Sequence, residues 1–229
     1  TLSSSSAASD VYKRQFCTSA EPAEPAAAAA PASAPLPPPG AFRLRHRSEV
    51  DYYVVHGCGE AAVPKWRALA AWAAPHAARH GGRAPTVWLD ALCAPHGASH
   101  EEHLARTPVV MARARGLLVL WGPSLLDRMY PVLELVLWLA LRGELSAVTV
   151  LPVAQTDADF DAIVASVDAF AVMYSRAREE RVEVALVRAF ELATVPTINE
   201  AVRAFLPAVR AAVDRERERR RDALSAGVA

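Results

Sequence analysis

Apolar residues fall into short solid runs separated by stretches of helical period, and this alternation organises the chain from about residue 48 to about residue 155. Residues 51–56 (DYYVVH) are aromatic and β-branched and end at Gly57, which predicts a strand followed by a turn. Residues 64–79 carry Trp66, Leu69, Ala70, Ala73 and Ala77 at helical spacing, and Gly81-Gly82 stops that helix. A second short strand, 86–89 (TVWL), closes at Asp90. Residues 101–115 predict a helix that Pro108 should kink or divide. Residues 116–121 (GLLVLW) are apolar throughout, as a strand covered on both faces should be. Residues 131–142 are nearly all apolar, which predicts a helix buried around most of its girth. A fourth strand follows at 147–153 (AVTVLPV). Strands and helices that alternate with short connections predict right-handed βαβ units and a parallel α/β sheet.

Two helical segments are expected beyond the last strand, at about 174–193 and 198–224. The second has Thr197 as its N-cap, with Glu200 three residues later to complete a capping box. It ends in RERERRRD (215–222), which reads as a solvated helix end laced with i,i+4 pairs. At the other end of the chain, 19–40 is built from Ala, Pro, Glu and Ser, so burial cannot repay its ordering entropy and it reads as a linker. Residues 5–15 look like translated adapter sequence and are left out of the fold reading. The expected organisation is therefore a disordered segment at 1–47, an α/β domain at 48–155 and a helical extension at 156–229 packed on it.

Composition narrows the classes of function. The chain has 229 residues, 52% apolar and 22% charged, with 25 basic and 25 acidic side chains. That balance argues against a nucleic-acid surface or an anionic-membrane surface, either of which needs excess Lys and Arg. Cys17, Cys58 and Cys93 are too sparse for a disulfide framework, so a reducing, cytoplasmic setting is the expectation. The longest apolar stretches are near a dozen residues, short of the roughly 20 needed to span a bilayer.

Several of these segments carry a resemblance. PTVWLDALC (85–93), LARTP (104–108), RGLLVLWG (115–122) and DRMYPVLE (127–134) are similar, in order and spacing, to the divergent algal and oomycete form of the Toll/interleukin-1 receptor (TIR) domain. The strand at 51–56, Lys65-Trp66, Phe170 and the INEAVR segment (198–203) also fit it. Three motifs depart from that pattern: Val55-His56-Gly57-Cys58, Cys93-Ala94-Pro95-His96 and Tyr130-Pro131. The resemblance implies a flavodoxin-like parallel sheet of about four or five strands. It also implies signalling by self-association or by pairing with other TIR-like domains, with 91–103 as a contact loop. The alternative it implies is NAD(P) glycohydrolase activity, with NAD(P) as substrate rather than resident cofactor.

Glu134 is the candidate catalytic residue. It follows Tyr130 by four residues, the Trp-x-x-x-Glu spacing of active TIR domains, and is the sole acid in 131–141. By resemblance it would engage the nicotinamide ribose and stabilise the cation formed as the N-glycosidic bond breaks. Read from the residues alone, it equally suits a carboxylate near a helix N-terminus that pairs with Arg128. Tyr130 is a candidate for stacking on a base or ribose, Arg128 for holding a phosphate, and Asp90 for a ligand contact at a strand's carboxyl end. Cys93, His96, His100 and His103 have the composition of a zinc site. Pro95 and Gly97 mark a loop there, the resemblance carries no metal, and none is expected.

Overall fold

The computed structural model describes residues 50–93, 100–177 and 194–227. The expectations for the linker at 1–47, for 178–193 and for the centre of the 91–103 loop lie outside them. The elements run β1 (Tyr52–His56), α1 (Ala62–Arg79), β2 (Val87–Trp88), α2 (Asp90–Cys93), α3 (His100–Met111), β3 (Gly116–Trp121), α4 (Met129–Arg142) and β4 (Val148–Pro152). After the sheet come α5 (Asp157–Asp168), α6 (Val195–Arg203) and α7 (Leu206–Ser225). Short 3-10 turns stand at Leu125–Asp127 and Val172–Tyr174.

The four strands form one sheet in the order β2-β1-β3-β4, every pair parallel. This is the flavodoxin-like arrangement, in which the chain reverses its direction of travel between β1 and β3. The register sets Tyr53 beside Leu117 and Val119 beside Val150. All six residues of β3 are buried because helices cover both faces. Leu117, Val119 and Trp121 enter the larger core with Tyr53, Val55 and the α4 residues Val132, Leu135 and Trp138. Leu118 and Leu120 enter the smaller core with Val54 and the α1 residue Leu69. Each such side chain contributes on the order of 1.5–3 kcal/mol on burial.

Helix ends follow local chemistry. Gly143 closes α4 in the left-handed region at φ 71°, and its N–H reaches the Leu139 carbonyl at 2.8 Å. Thr156 caps α5 in a reciprocal box with Asp159.

The structure departs from the expectations in four places. First, α3 is not divided at Pro108; it runs on to Met111 and stops short of residue 115. The Thr107 hydroxyl bonds the His103 carbonyl at 3.0 Å, and Thr107 and Met111 are buried against the core. Packing therefore offsets the one hydrogen bond that proline removes.

Second, α5 was not expected, although Phe160, Ile163 and Val167 lie buried on one face of it behind its capping box. Third, the helix read at 198–224 is two helices. Thr194, rather than Thr197, caps α6 by accepting from the Thr197 N–H. The chain breaks between α6 and α7 so that Phe205, fully buried, can meet Trp121 at 6.0 Å between ring centroids. Pro207 then suits the first turn of α7, where its missing N–H has no helical partner to lose.

Fourth, Tyr174 ends a 3-10 turn and does not begin a helix. The run at the end of α7 pairs within itself, Glu216 with Arg219 and Arg220, but it also reaches α5. Arg217 bonds Asp161 at 2.6 Å, and Arg220 lies 4.6 Å over the Phe160 ring. Among the described residues no helix is long and apolar enough to cross a membrane.

Candidate functional site

The carboxyl ends of β1, β2 and β3 bring together most of the residues of interest. β1 ends at His56, whose Nε2 stands 2.9 Å from Asp90 Oδ1. Asp90 opens α2 immediately after β2, where parallel sheets commonly hold ligands. Its charge also acts on Glu134, Tyr130 and Tyr53, raising the pKa of each. Asp90, Tyr130 and Glu134 thus belong to one electrostatic neighbourhood built from β2 and α4.

Glu134 sits in the second turn of α4, 3% exposed, facing β1. Its Oε1 accepts from the Tyr53 hydroxyl at 2.5 Å. Burial pushes its carboxyl well above the ordinary carboxylate range, Asp90 pushes it further, and the Tyr53 hydrogen bond opposes both only in part. These surroundings favour the protonated form of Glu134 over the charged one. Tyr53 is raised in turn by burial and by Glu134. The neighbouring Tyr130 bonds Thr107 at 3.0 Å and is raised by burial, with Glu134 and Asp90 adding to the effect.

Arg128 does not pair with Glu134. It occupies the N-cap position of α4 in extended conformation, and its backbone forms a parallel bridge with Arg176. Arg128 is held there by the chain on either side: Met129 N–H reaches the Arg176 carbonyl at 3.1 Å, and Arg176 N–H reaches the Asp127 carbonyl at 2.8 Å. Of the four site residues expected, Asp90, Tyr130 and Glu134 converge, and Arg128 stands apart from the carboxyl it was expected to meet.

A second cluster lies beside the first and went unread in the sequence. The loop after β1 folds over the end of β3 through Glu60. Its Oε1 accepts from the Ser124 N–H at 2.9 Å and from the Ser124 hydroxyl at 2.6 Å. Lys65, 4% exposed on α1, donates to the Gly57 carbonyl and stands 3.7 Å from Glu60 Oε2. Burial lowers the Lys65 pKa, and Glu60 and Cys58 partly restore it. The glycines were the available signal. A Cβ on Gly59 would fall 2.1 Å from the Ser124 hydroxyl oxygen, and one on Gly122 2.4 Å from the Glu60 carboxyl carbon. Only glycine allows so close an approach of the two loops.

The loops enclose a cleft of about 260 Å³ at the point where the strand order reverses. Glu60 and Ala61 form one wall with Pro64 of α1; Ser124 forms another; Gln155 and Asp159 close it from the β4 side. Glu134 lies outside this lining. Among the described residues no group of three or more His, Cys, Asp or Glu side chains is placed to hold a metal. His96, on which the zinc alternative depended, lies outside them.

Fold and cleft together define a doubly wound α/β protein with a pocket at its switch point. Comparison of the chain with protein-family models, with curated proteins and with solved structures returns no match.

Proposed function

We propose that this chain is a TIR-like signalling domain that acts by self-association rather than by cleaving NAD(P). The setting of Glu134 carries the reading: it is 3% exposed, bonded to Tyr53, and its burial disfavours the charged form. A glycosidic bond that breaks through a cation needs an ionised carboxylate open to the substrate. A carboxyl sealed between α4 and β1, in surroundings that oppose its ionisation, does not offer that access. The parallel order β2-β1-β3-β4, with α4 bearing Tyr130 and Glu134 directly after β3, supports the TIR-like assignment.

Sedimentation velocity on the full chain over a wide concentration range tests the proposal. Reversible association is expected, and a monomer throughout would overturn it.

NAD(P) glycohydrolysis is the second reading, and the convergence of Asp90, Tyr130 and Glu134 favours it. It requires substrate binding to expose Glu134. Nicotinamide release by the parent chain, lost in Glu134→Gln, would establish it over the first reading.

A further inference from the structure

We propose that the amino-end edge of the sheet, opposite the candidate site, docks on a bilayer of anionic phospholipid. The proposal rests on the charge of that edge and stands apart from the reading of Glu134.

Where the strands begin, the chain supplies cations with little to balance them. The segments at that edge are 50–51, 79–86, 112–115 and 142–147. They hold Arg79, Arg83, Arg113, Arg115 and Arg142 against Asp51 and Glu144, an excess of three positive charges. The even balance of 25 and 25 over the whole chain hides this local excess.

Contacts tie the arginines into one row across the sheet. Arg83, ahead of β2, bonds Asp51 Oδ1 at 2.6 Å, and Arg115, ahead of β3, stands 3.9 Å from the same atom. Arg142, ahead of β4, reaches the Ala112 carbonyl at 3.4 Å, next to the exposed Arg113. Asp51 is turned inward: its side chain is 9% exposed and also accepts the Thr86 N–H and hydroxyl. The side chains of Arg83 and Arg115 remain 61% and 78% exposed. Outward, the row therefore presents mainly guanidinium groups, which bond phosphate oxygens readily.

The row follows strands spaced roughly 4.8 Å apart, so a flat anionic surface meets all of it at once and one small anion does not. Leu141, 42% exposed beside Arg142, offers an apolar group to the headgroup layer. In the sequence, FRLRHRSE (42–49) leads directly into this edge, with three arginines against one acid. Single-stranded nucleic acid would want open aromatic rings to stack on. Here Tyr52 packs edge-on against Trp72 at 5.0 Å, and Trp138 lies under Arg142.

Co-sedimentation of the full chain with vesicles tests the proposal, using phosphatidylcholine alone and phosphatidylcholine mixed equally with phosphatidylserine. An excess of three charges should favour the serine lipid by at least about 100-fold at low salt, and added salt should reduce the preference. Arg113→Gln/Arg115→Gln removes two exposed charges and should weaken binding about 30-fold with the melting temperature unchanged. Arg215→Gln/Arg221→Gln on α7 makes the same change in net charge and should leave binding as in the parent. No preference for the serine lipid, undiminished binding in the first variant, or an equal loss in the second would each overturn the proposal. A short DNA duplex retained by a chain that ignores both vesicles would assign the edge to nucleic acid and overturn it as well.

Discussion

The Tyr53 hydroxyl and the Glu134 carboxyl meet at 2.5 Å across the interface of β1 and α4, 81 residues apart in the chain. Both groups are buried, and each depends on the other for its hydrogen bond. Removing the donor should therefore expose the asymmetry of buried polar pairs. Tyr53→Phe is expected to lower stability by about 1–3 kcal/mol, because the Glu134 carboxyl is left without its partner. In a Glu134→Leu background the same change should have a clearly smaller effect. A double-mutant cycle by urea denaturation measures the difference.

The raised pKa of Glu134 makes stability depend on pH. Its folded pKa lies above the ordinary carboxyl value of 4.5. Between those two values the folded chain holds a proton that the unfolded chain has released. Stability from this group is thus fully present below about pH 4.5 and falls as pH rises toward the folded pKa, by about 1.4 kcal/mol per pH unit. Glu134→Gln keeps the shape and accepts from Tyr53 but cannot ionise. It should be less stable than the parent at acid pH by no more than about 1 kcal/mol and should gain on it as pH rises above the ordinary carboxyl range. Denaturation midpoints of the two proteins across that rise check the sign, and parallel curves would contradict it.

Gly122 gives a test of how the cleft is built. A methyl group there would overlap the Glu60 carboxyl and push it away from Ser124. Gly122→Ala is expected to lower stability by about 1–3 kcal/mol. Shortening the obstructing side chain in Glu60→Ala/Gly122→Ala should recover part of that loss relative to the sum of the single changes. Thermal melts of the four proteins decide it.

The helices after residue 155 share the main core with the sheet, since Phe160, Ile163, Ile198, Phe205 and Val209 cluster with Trp121 and Val150. Ile163→Ala, fully buried on α5, should lower stability by about 2–5 kcal/mol. A chain ending at Gln155 would leave Trp121 and Val150 uncovered on that face. It should lose its near-ultraviolet circular dichroism while the full chain retains it, and a cooperative, native-like melt of the shortened chain would refute this.

What local pattern can report, the sequence by itself determined. A run such as GLLVLW, with no polar position in six, has only one comfortable place, the middle of a covered sheet, and β3 lies there at Gly116–Trp121. Aromatic and β-branched composition likewise located β1, and the nearly unbroken apolar stretch located α4, because these preferences act through neighbouring residues. Alternation of strands and helices was enough for a parallel sheet. Asp90 at a strand end and Tyr130 a turn before Glu134 could be marked for the same reason: their spacing is local.

Tertiary structure alone decided what those residues touch. Glu134 has a neighbouring arginine in sequence, yet its partner is Tyr53, brought close by crossovers that no window of sequence contains. α3 continues past Pro108 because burial of Thr107 and Met111 outweighs one lost backbone hydrogen bond, a balance set by the packing of α3. Pro207 accounts locally for a helix break before α7, but that the break sets Phe205 against Trp121, 84 positions earlier in the chain, is a tertiary fact. The tie between Glu60 and Ser124 was written in the sequence only as glycines, which say that something comes close without saying what. Protonation states follow the same division. They depend on desolvation and on charges a few ångströms away in space, and both come into being only when the strands have found their order.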